Sequence, residues 1–234
     1  MNAVRTVVKM HTRDPLIWFS WSWGMLIQLL LTLIVVLMIR LLGGGGKTSV
    51  YAGGGGLVVI CAIMFVVGIV TVNDTFPFAL GFSVRRTDYV LGTTVMAVAV
   101  SAGAAVLLLL CSLLERVTGG LGVELHYFNP PYLNDSSLIE QLCISFVFIA
   151  NMYFLGFVIG SIYQRFGRAG TLFFLLVVFL LMSIFSFVWA YLRWWGAFFH
   201  WFSQYTAFEL ALLLLPVTAF YLLVSYLLLR RAVA

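Results

Sequence analysis

The run QLCISFVFIANMYFLGFVIGSIYQ, Gln141–Gln164, contains no charged residue and is apolar along most of its length. At about 1.5 Å per residue, a helix of this length crosses the roughly 30 Å hydrocarbon layer of a bilayer. A strand of a membrane barrel would instead alternate polar and apolar residues over about ten positions. The run therefore predicts a membrane-spanning helix.

The rest of the chain has the same character. Of its 234 residues, 63% are hydrophobic and 9% are charged, whereas soluble domains average about 25% charged residues. The sequence predicts an all-α integral membrane protein with a single transmembrane domain over residues 1–234. Six transmembrane helices are expected at residues 15–40, 57–81, 89–114, 139–163, 171–192 and 208–229.

The segment before the first span, Met1–Asp14, mixes valines with Arg5, Lys9 and Arg13. This pattern favours an N-terminal amphipathic segment on the membrane surface, and a disordered basic tail is the alternative.

The distribution of positive charge predicts the orientation of the spans. With the N-terminus inside, 9 of the 13 basic residues lie on the cytoplasmic side, in agreement with the excess of Lys and Arg in cytoplasmic loops. These residues are Arg5, Lys9, Arg13, Arg85, Arg86, Arg165, Arg168, Arg230 and Arg231. Both termini are therefore expected to be cytoplasmic, in a multi-pass protein of the bacterial plasma membrane. The net charge of +5 then reflects orientation and contact with membrane lipids, and no nucleic-acid binding is expected.

The glycine-rich stretch GGGGKTSVYAGGGG, Gly43–Gly56, invites comparison with a phosphate-binding loop. In that motif the first glycine would fall at position 41, which is Leu41, and no short strand precedes it. The stretch is interpreted as an outer loop between the first two spans.

The connection between the second and third spans is expected to be more than a simple turn. The second span needs to continue to Leu80 or Gly81 to cross the bilayer, which places Asp74 and Pro77 inside a helix. Asp74 is then expected to face a protein partner or water, because a carboxylate is costly in hydrocarbon. Pro77 should free a backbone carbonyl and bend the helix. Residues 82–88 are expected to form a short amphipathic piece.

The run FPFALGFSVRRTDYVLGT, Phe76–Thr93, resembles the cytoplasmic turn between the second and third spans in membrane subunits of ABC-type exporters, in the type-2 permease family. The segment Val4–Phe19 is similar to the N-terminus of such permeases, and the expected topology covers the whole chain.

The resemblance implies that a short helix at this turn docks on a separate ABC ATPase subunit, which binds the ATP. The implied coupling residues are Phe82, Val84, Arg85, Arg86 and Asp88. A second permease, identical or different, is implied as well, and this chain itself would hold no cofactor and no catalytic residue. Read on their own, Arg85 and Arg86 are also consistent with plain positive-inside anchors.

Small residues indicate where helices approach each other. The third span has Thr93, Ala97, Ser101 and Ala105 at four-residue spacing, and the fourth has Gly156 and Gly160. Packing within one chain is preferred for both over a seam between two copies.

Polar residues inside the spans are few. Gln28 and Asn151, with Asp74, are the candidates for a pathway, and hydrogen bonding between helices is the alternative for Gln28 and Asn151. No acid, histidine relay or paired carboxylate is expected within the membrane, which argues against a proton-driven carrier. An apolar pathway suggests a lipid, a lipopeptide or a hydrophobic drug as cargo.

Two outer segments and the Cys and His residues yield further expectations. In the loop Glu115–Ser137, residues 121–128 are expected to form a short interfacial helix or re-entrant turn. The aromatic cluster Arg193–Phe202 is expected to form a tight outer hairpin at headgroup level. The spacing of Cys and His residues predicts no metal site.

Two other classes of function stay open. A noncatalytic membrane scaffold or assembly protein would need no ATPase partner, and a membrane-embedded enzyme would need acids with a histidine, or a Ser/His pair, inside the spans. The presence of an ATPase partner distinguishes the permease from the scaffold.

Overall fold

The computed structural model describes residues 7–8, 27, 30–31, 34, 37–38, 41, 50–51, 55–82, 84–118, 125–126, 128 and 137–230. The elements in these ranges are β1 (Val50–Tyr51), α1 (Gly55–Gly81), α2 (Arg86–Val117), β2 (Leu125–His126), α3 (Leu138–Tyr191), α4 (Trp194–Phe202) and α5 (Ala207–Arg230). Four of these helices, α1, α2, α3 and α5, are long and apolar enough to cross a membrane. The described part of the chain is therefore helical and compatible with a multi-pass membrane protein.

The longest element, α3, consists of two helices that meet at Gly167. Gly167 has φ 69° and ψ −171°, a conformation that is essentially restricted to glycine. We name the two parts α3N (138–166) and α3C (168–191); each exceeds the roughly 20 residues that a span requires. They correspond to the predicted spans 139–163 and 171–192. The break falls between Arg165 and Arg168.

Contacts between α3N and α5 show that the chain reverses at Gly167. Ile144 packs in one cluster with Ala211, and further along both helices Asn151 Nδ2 donates to Thr218 Oγ1 at 3.1 Å. The two helices thus run in the same direction. The chain between them must return to its starting end, so α3C runs antiparallel to α3N.

The α1 helix also runs parallel to α3N, and the two backbones are in contact at glycines. A methyl group on Gly68 would overlap the carbonyl oxygen of Tyr153, and one on Gly156 would overlap that of Phe65. One helical turn on, a methyl group on Gly160 would lie 2.9 Å from the Ile69 carbonyl oxygen. The prediction that Gly156 and Gly160 pack within one chain is confirmed.

The small-residue ridge of α2 is also buried within the chain. Thr93, Ala97, Ser101 and Ala105 are all at most 2% exposed. Contacts join α2 to α1, α3 and α5, so this ridge, too, packs inside the subunit as predicted.

The helices α3 and α5 begin with capping boxes at the same end of the bundle. Ser137 Oγ accepts from the Glu140 backbone N–H while the Glu140 carboxylate accepts from Ser137 N. Thr206 and Glu209 form the same reciprocal pair before α5. Each box satisfies two backbone donors that a helix start leaves unpaired. Two of the acidic residues expected outside therefore act as helix caps.

The two ends of the bundle differ in charge. At one end lie Arg85 and Arg86, the residues Arg165 and Arg168 around the α3 break, and Arg230 at the end of α5; we call it the basic end. At the other, the acidic end, lie Glu115, Glu140 and Glu209. This separation agrees with the predicted alternation of spans. The cytoplasmic location of the basic end remains a prediction, because the structure contains no membrane.

Two expectations about the acidic end are corrected. Of the short helix or re-entrant turn expected over residues 121–128, the helix is not formed at Leu125 and His126, which form β2 and pair in parallel with β1. Pairing with a second extended segment satisfies the backbone groups that a helix would have satisfied internally. The aromatic cluster expected in a tight hairpin forms α4 instead, after a left-handed turn at Arg193 (φ 56°). The residues of α4 are exposed or partly exposed, as are most of those of α3C.

The first span and the N-terminal segment lie largely outside the described residues. Residues 27, 30–31, 34, 37–38 and 41 are helical and exposed. Val7 and Val8 are helical, and Val7 is buried in the main apolar cluster of the bundle. The six-span arrangement remains a prediction, with five segments of spanning length described.

The glycine contacts yield a test of the bundle. Gly156→Ala and Gly68→Ala should each lower the free energy of unfolding by about 1–3 kcal/mol, because the added methyl group meets backbone rather than a movable side chain. Gly81→Ala is the matched control, since no atom lies within 4 Å of the added methyl group. Unfolding in detergent measures all three. Equal stability of the three variants would contradict the close contact.

Candidate functional site

The candidate site is the connection between α1 and α2 at the basic end. α1 ends at Gly81, and the N–H groups of Phe82 and Val84 both donate to the Ala79 carbonyl at 3.2 Å. Arg85 is extended (φ −63°, ψ 138°) and α2 begins at Arg86. The chain therefore reverses within a few residues.

The expected separate amphipathic piece over residues 82–88 is not formed. Arg86 to Asp88 are already the first turn of α2. Asp88 favours this early start, because its carboxylate lies at the positive end of the helix dipole. The predicted coupling residues thus divide between a short turn (Phe82, Val84, Arg85) and a helix start (Arg86, Asp88).

The outward side of the turn combines aromatic rings and one guanidinium group. Phe82 is 66% exposed, and its ring packs edge-on against that of Phe78, with centroids 4.9 Å apart. Arg85, three residues after Phe82, is exposed as well. Exposed aromatic and arginine side chains are enriched in surfaces that bind other proteins.

The inward side fixes the turn to the spans. Val84 packs on the main apolar cluster. Tyr89, at 1% exposure, lies one turn into α2. Its hydroxyl shares a 2.8 Å hydrogen bond with Thr75 Oγ1 of α1, and its ring lies 5.3 Å from that of Phe76. A displacement of the turn would therefore move the ends of both helices.

Arg86 and Arg85 differ in their surroundings although they are adjacent. The Arg86 guanidinium donates to the backbone carbonyl of Arg230, in the last turn of α5. Last-turn carbonyls have no donor in their own helix, so a cation there satisfies a free acceptor and interacts favourably with the helix dipole. Arg86 thus links the start of α2 to the end of α5, whereas Arg85 is exposed.

Asp74 lies on an exposed face of α1. The contacts of Ile69 with Gly160 and of Asn73 with Gln164 set the axial register of α1 and α3N. This register puts Asp74 at the level of Arg165, at the edge of the bundle rather than at its centre. The predicted exposure to water or a partner agrees with this position.

Asn151 is buried and makes a hydrogen bond between helices. Its Nδ2 donates to Thr218 Oγ1 at 3.1 Å, and that hydroxyl in turn donates to the Leu214 carbonyl at 2.9 Å. Of the two predicted roles, the interhelical bond is the one formed. Gln28, the other candidate, lies outside the described residues.

The sequence reasoning missed a polar cluster near the acidic end. Glu115 is 1% exposed, and its Oε2 accepts from the Phe128 backbone N–H at 2.7 Å. Gln141 Nε2 donates to Ser112 Oγ at 2.9 Å. Glu115 is therefore a buried acid in the last turn of α2. The uncharged run ends at Leu114, which predicts that Glu115 opens a loop, but α2 continues to Val117; the spacing of Glu115, four residues from Cys111 and seven from the buried Leu108, was the available signal.

Within the described ranges, no three His, Cys, Asp or Glu side chains are grouped as metal ligands.

The chain matches no protein-family model, no curated protein and no solved structure. The resemblance of the Phe76–Thr93 run to exporter permeases is therefore a prediction that rests on the residues themselves.

A double-mutant cycle tests the Asn151 assignment. Asn151→Leu and Thr218→Val should show a coupling free energy of about 0.6 kcal/mol, the average for such bonds between membrane helices. Thr171→Val is the control for Thr218→Val, because Thr171 bonds only within its own helix in the contacts described. The measurement is reversible unfolding in mixed micelles. Additive effects of Asn151→Leu and Thr218→Val would refute the bond.

Proposed function

We propose that the protein is the transmembrane subunit of an ATP-driven ABC exporter, and that the Phe82–Asp88 region couples it to a separate ATPase subunit. The observation that supports this most is the two-sided turn at the basic end. Its outward side presents Phe82 and Arg85, while its inward side is fixed through Val84 and Tyr89. A mere connection between spans does not need both an exposed aromatic surface and a rigid attachment.

Coupling requires that a force on the turn reaches the spans. The Tyr89–Thr75 hydrogen bond and the Tyr89–Phe76 ring contact join the ends of α1 and α2. The Arg86 bond to Arg230 joins α2 to α5. Closure of an ATPase against Phe82 and Arg85 would in this way move three helix ends together.

Phe82 and Arg85 then dock on the ATPase, and Val84 and Arg86 transmit the movement. Asp88 stabilises the start of α2 through the helix dipole. In this account Arg85 and Arg86, identical in charge and adjacent in sequence, have different roles.

The remaining parts of the proposal follow from the family that the turn resembles. The partner ATPase binds and hydrolyses ATP, and two permease subunits, identical or different, enclose the pathway in the bacterial plasma membrane. Asn151 is engaged between helices, and the four candidate membrane spans are strongly apolar. An apolar or amphipathic cargo such as a lipid, a lipopeptide or a hydrophobic drug fits this apolar character.

The direct experiment is to tag the full chain, purify it in mild detergent from its native host, and identify associated proteins by mass spectrometry. A stoichiometric ATPase with its own phosphate-binding loop supports the proposal. Recovery of the chain without an ATPase under several gentle conditions would favour the scaffold or assembly alternative.

A matched pair of variants tests the two arginine roles. Arg85→Leu should weaken ATPase binding about tenfold or more, equivalent to about 1.4 kcal/mol. Arg86→Leu should leave that affinity within about twofold, but should reduce ATP-driven transport, because the link to Arg230 is lost. Both variants remove one positive charge, so any effect on membrane topology is the same. Binding to the reconstituted chain and transport into vesicles are the two measurements.

Equal loss of affinity in the two variants would show that both side chains dock. Unchanged affinity and transport in both variants would show that Arg85 and Arg86 serve only as positive-inside anchors.

A further inference from the structure

A proline in the inner part of α1 removes one of its backbone hydrogen bonds. Pro77 lies inside the helix and has no N–H, so the Asn73 carbonyl has no donor one turn later in its own helix. Gln164 of α3N supplies the missing donor: its Nε2 lies 3.2 Å from the Asn73 oxygen. A backbone carbonyl that a proline frees inside a bundle is usually satisfied by a neighbouring helix, a side chain or water. Gln164 therefore compensates for Pro77 from another helix.

Two threonines weaken the same part of α1. Thr71 Oγ1 donates to the Val67 carbonyl, and Thr75 Oγ1 donates to the Thr71 carbonyl. Such side-chain bonds to the preceding turn compete with the helix ladder and often bend helices. Together with Pro77, they concentrate the weak points of α1 within residues 71–77.

The segments on either side of residues 71–77 are held by different partners. Before them, Gly68 is in backbone contact with α3N, which leaves no space even for a methyl group. At their C-terminal end, Phe76 packs on Tyr89, and beyond them Val84 packs on the main apolar cluster. The end of α1 is thus attached to the start of α2. We call residues 78–89 the tip.

We propose that residues 71–77 form a hinge in α1, and that Gln164 is the positioning residue that holds this hinge in the observed state. When the Gln164–Asn73 bond breaks, the tip turns relative to the part of α1 that is fixed by Gly68. Gln164 lies just before the reversal at Gly167, so the same bond joins the hinge to the end of α3N. This hinge is a property of the chain alone and does not depend on an ATPase partner.

The test gives the Asn73 carbonyl a backbone donor in place of the Gln164 side chain. Gln164→Leu removes the side-chain donor at similar volume, and Pro77→Ala returns a backbone N–H to the Asn73 carbonyl. The full chain is placed in lipid nanodiscs, and amide hydrogen exchange is followed over the tip and over residues 57–68. Gln141→Leu is the matched control, because Gln141 is a buried glutamine on the same helix at the opposite end.

The hinge predicts that Gln164→Leu accelerates exchange in the tip several-fold and leaves residues 57–68 unchanged. When Pro77→Ala is already present, Gln164→Leu should have little effect on hydrogen exchange in the tip. Gln141→Leu should not change hydrogen exchange in the tip. A general contribution of Gln164 to packing cannot produce this rescue, since Pro77→Ala does not replace the lost side chain.

Three results would overturn the hinge: no change in the tip, an increase spread evenly along α1, or the same increase with Pro77→Ala present. If the Gln164→Leu variant is obtained as folded protein only when Pro77→Ala is also present, this rescue of folding supports the hinge. If it fails to accumulate in both backgrounds, Gln164 is needed for packing and the hinge is wrong.

Discussion

The backbone contact between α1 and α3N is the constraint on which the rest of the structure depends. Because Gly68 and Gly156 lack side chains, the two helices approach until carbonyl oxygens fill the space that side chains would occupy. Helices in lipid gain little from hydrophobic burial and associate by this kind of close packing. The contact fixes the axial register, so that Asn73 lies beside Gln164. That register places the candidate turn next to the other arginines of the basic end.

Hydrogen bonds from polar side chains form a second set of contacts between elements. Gln164 donates to the carbonyl freed by Pro77, and Arg86 donates to a last-turn carbonyl of α5. Asn151 donates to Thr218, and the buried Glu115 accepts from the Phe128 N–H. The first three bonds join helices in pairs, and the fourth joins α2 to the segment that follows it. The same bonds are therefore the places where movement of one helix is transmitted to another.

The sequence predicted those features that depend on local composition. The lengths of the spans that are described, the continuation of α1 to Gly81 and the close packing at Gly156 follow from hydrophobic run length and small-residue spacing, and these features are present. The freed carbonyl at Pro77 was also predicted. Its partner was not, since Gln164 is distant in sequence and only the register of two helices brings it close.

The remaining errors have a common origin in contacts between distant segments. The β1–β2 pair joins two segments that are far apart in the chain, and the alternation of Val123, Glu124, Leu125 and His126 extends over only a few residues. The charge of Glu115 predicts the end of a span, although a buried acid can remain helical when a backbone N–H donates to it. In the turn, Tyr89 near the start of α2 is bonded to Thr75 of α1. Apart from that alternation and the spacing of Glu115, the local sequence indicates none of these contacts.

The central claim is that α1, α3N and α5 run parallel, so that the α1–α2 turn and the Gly167 reversal lie at the same end of the bundle. The distribution of positive charge predicts that this end is cytoplasmic. The most direct measurement is labelling of single cysteines, in a chain from which Cys61, Cys111 and Cys143 have been removed, with a membrane-impermeant maleimide. The account predicts that Phe82→Cys and Ala169→Cys react only from the cytoplasmic side, and Gln204→Cys only from the outside. Reaction of positions 82 and 169 from opposite sides, or of all three from the same side, would contradict it.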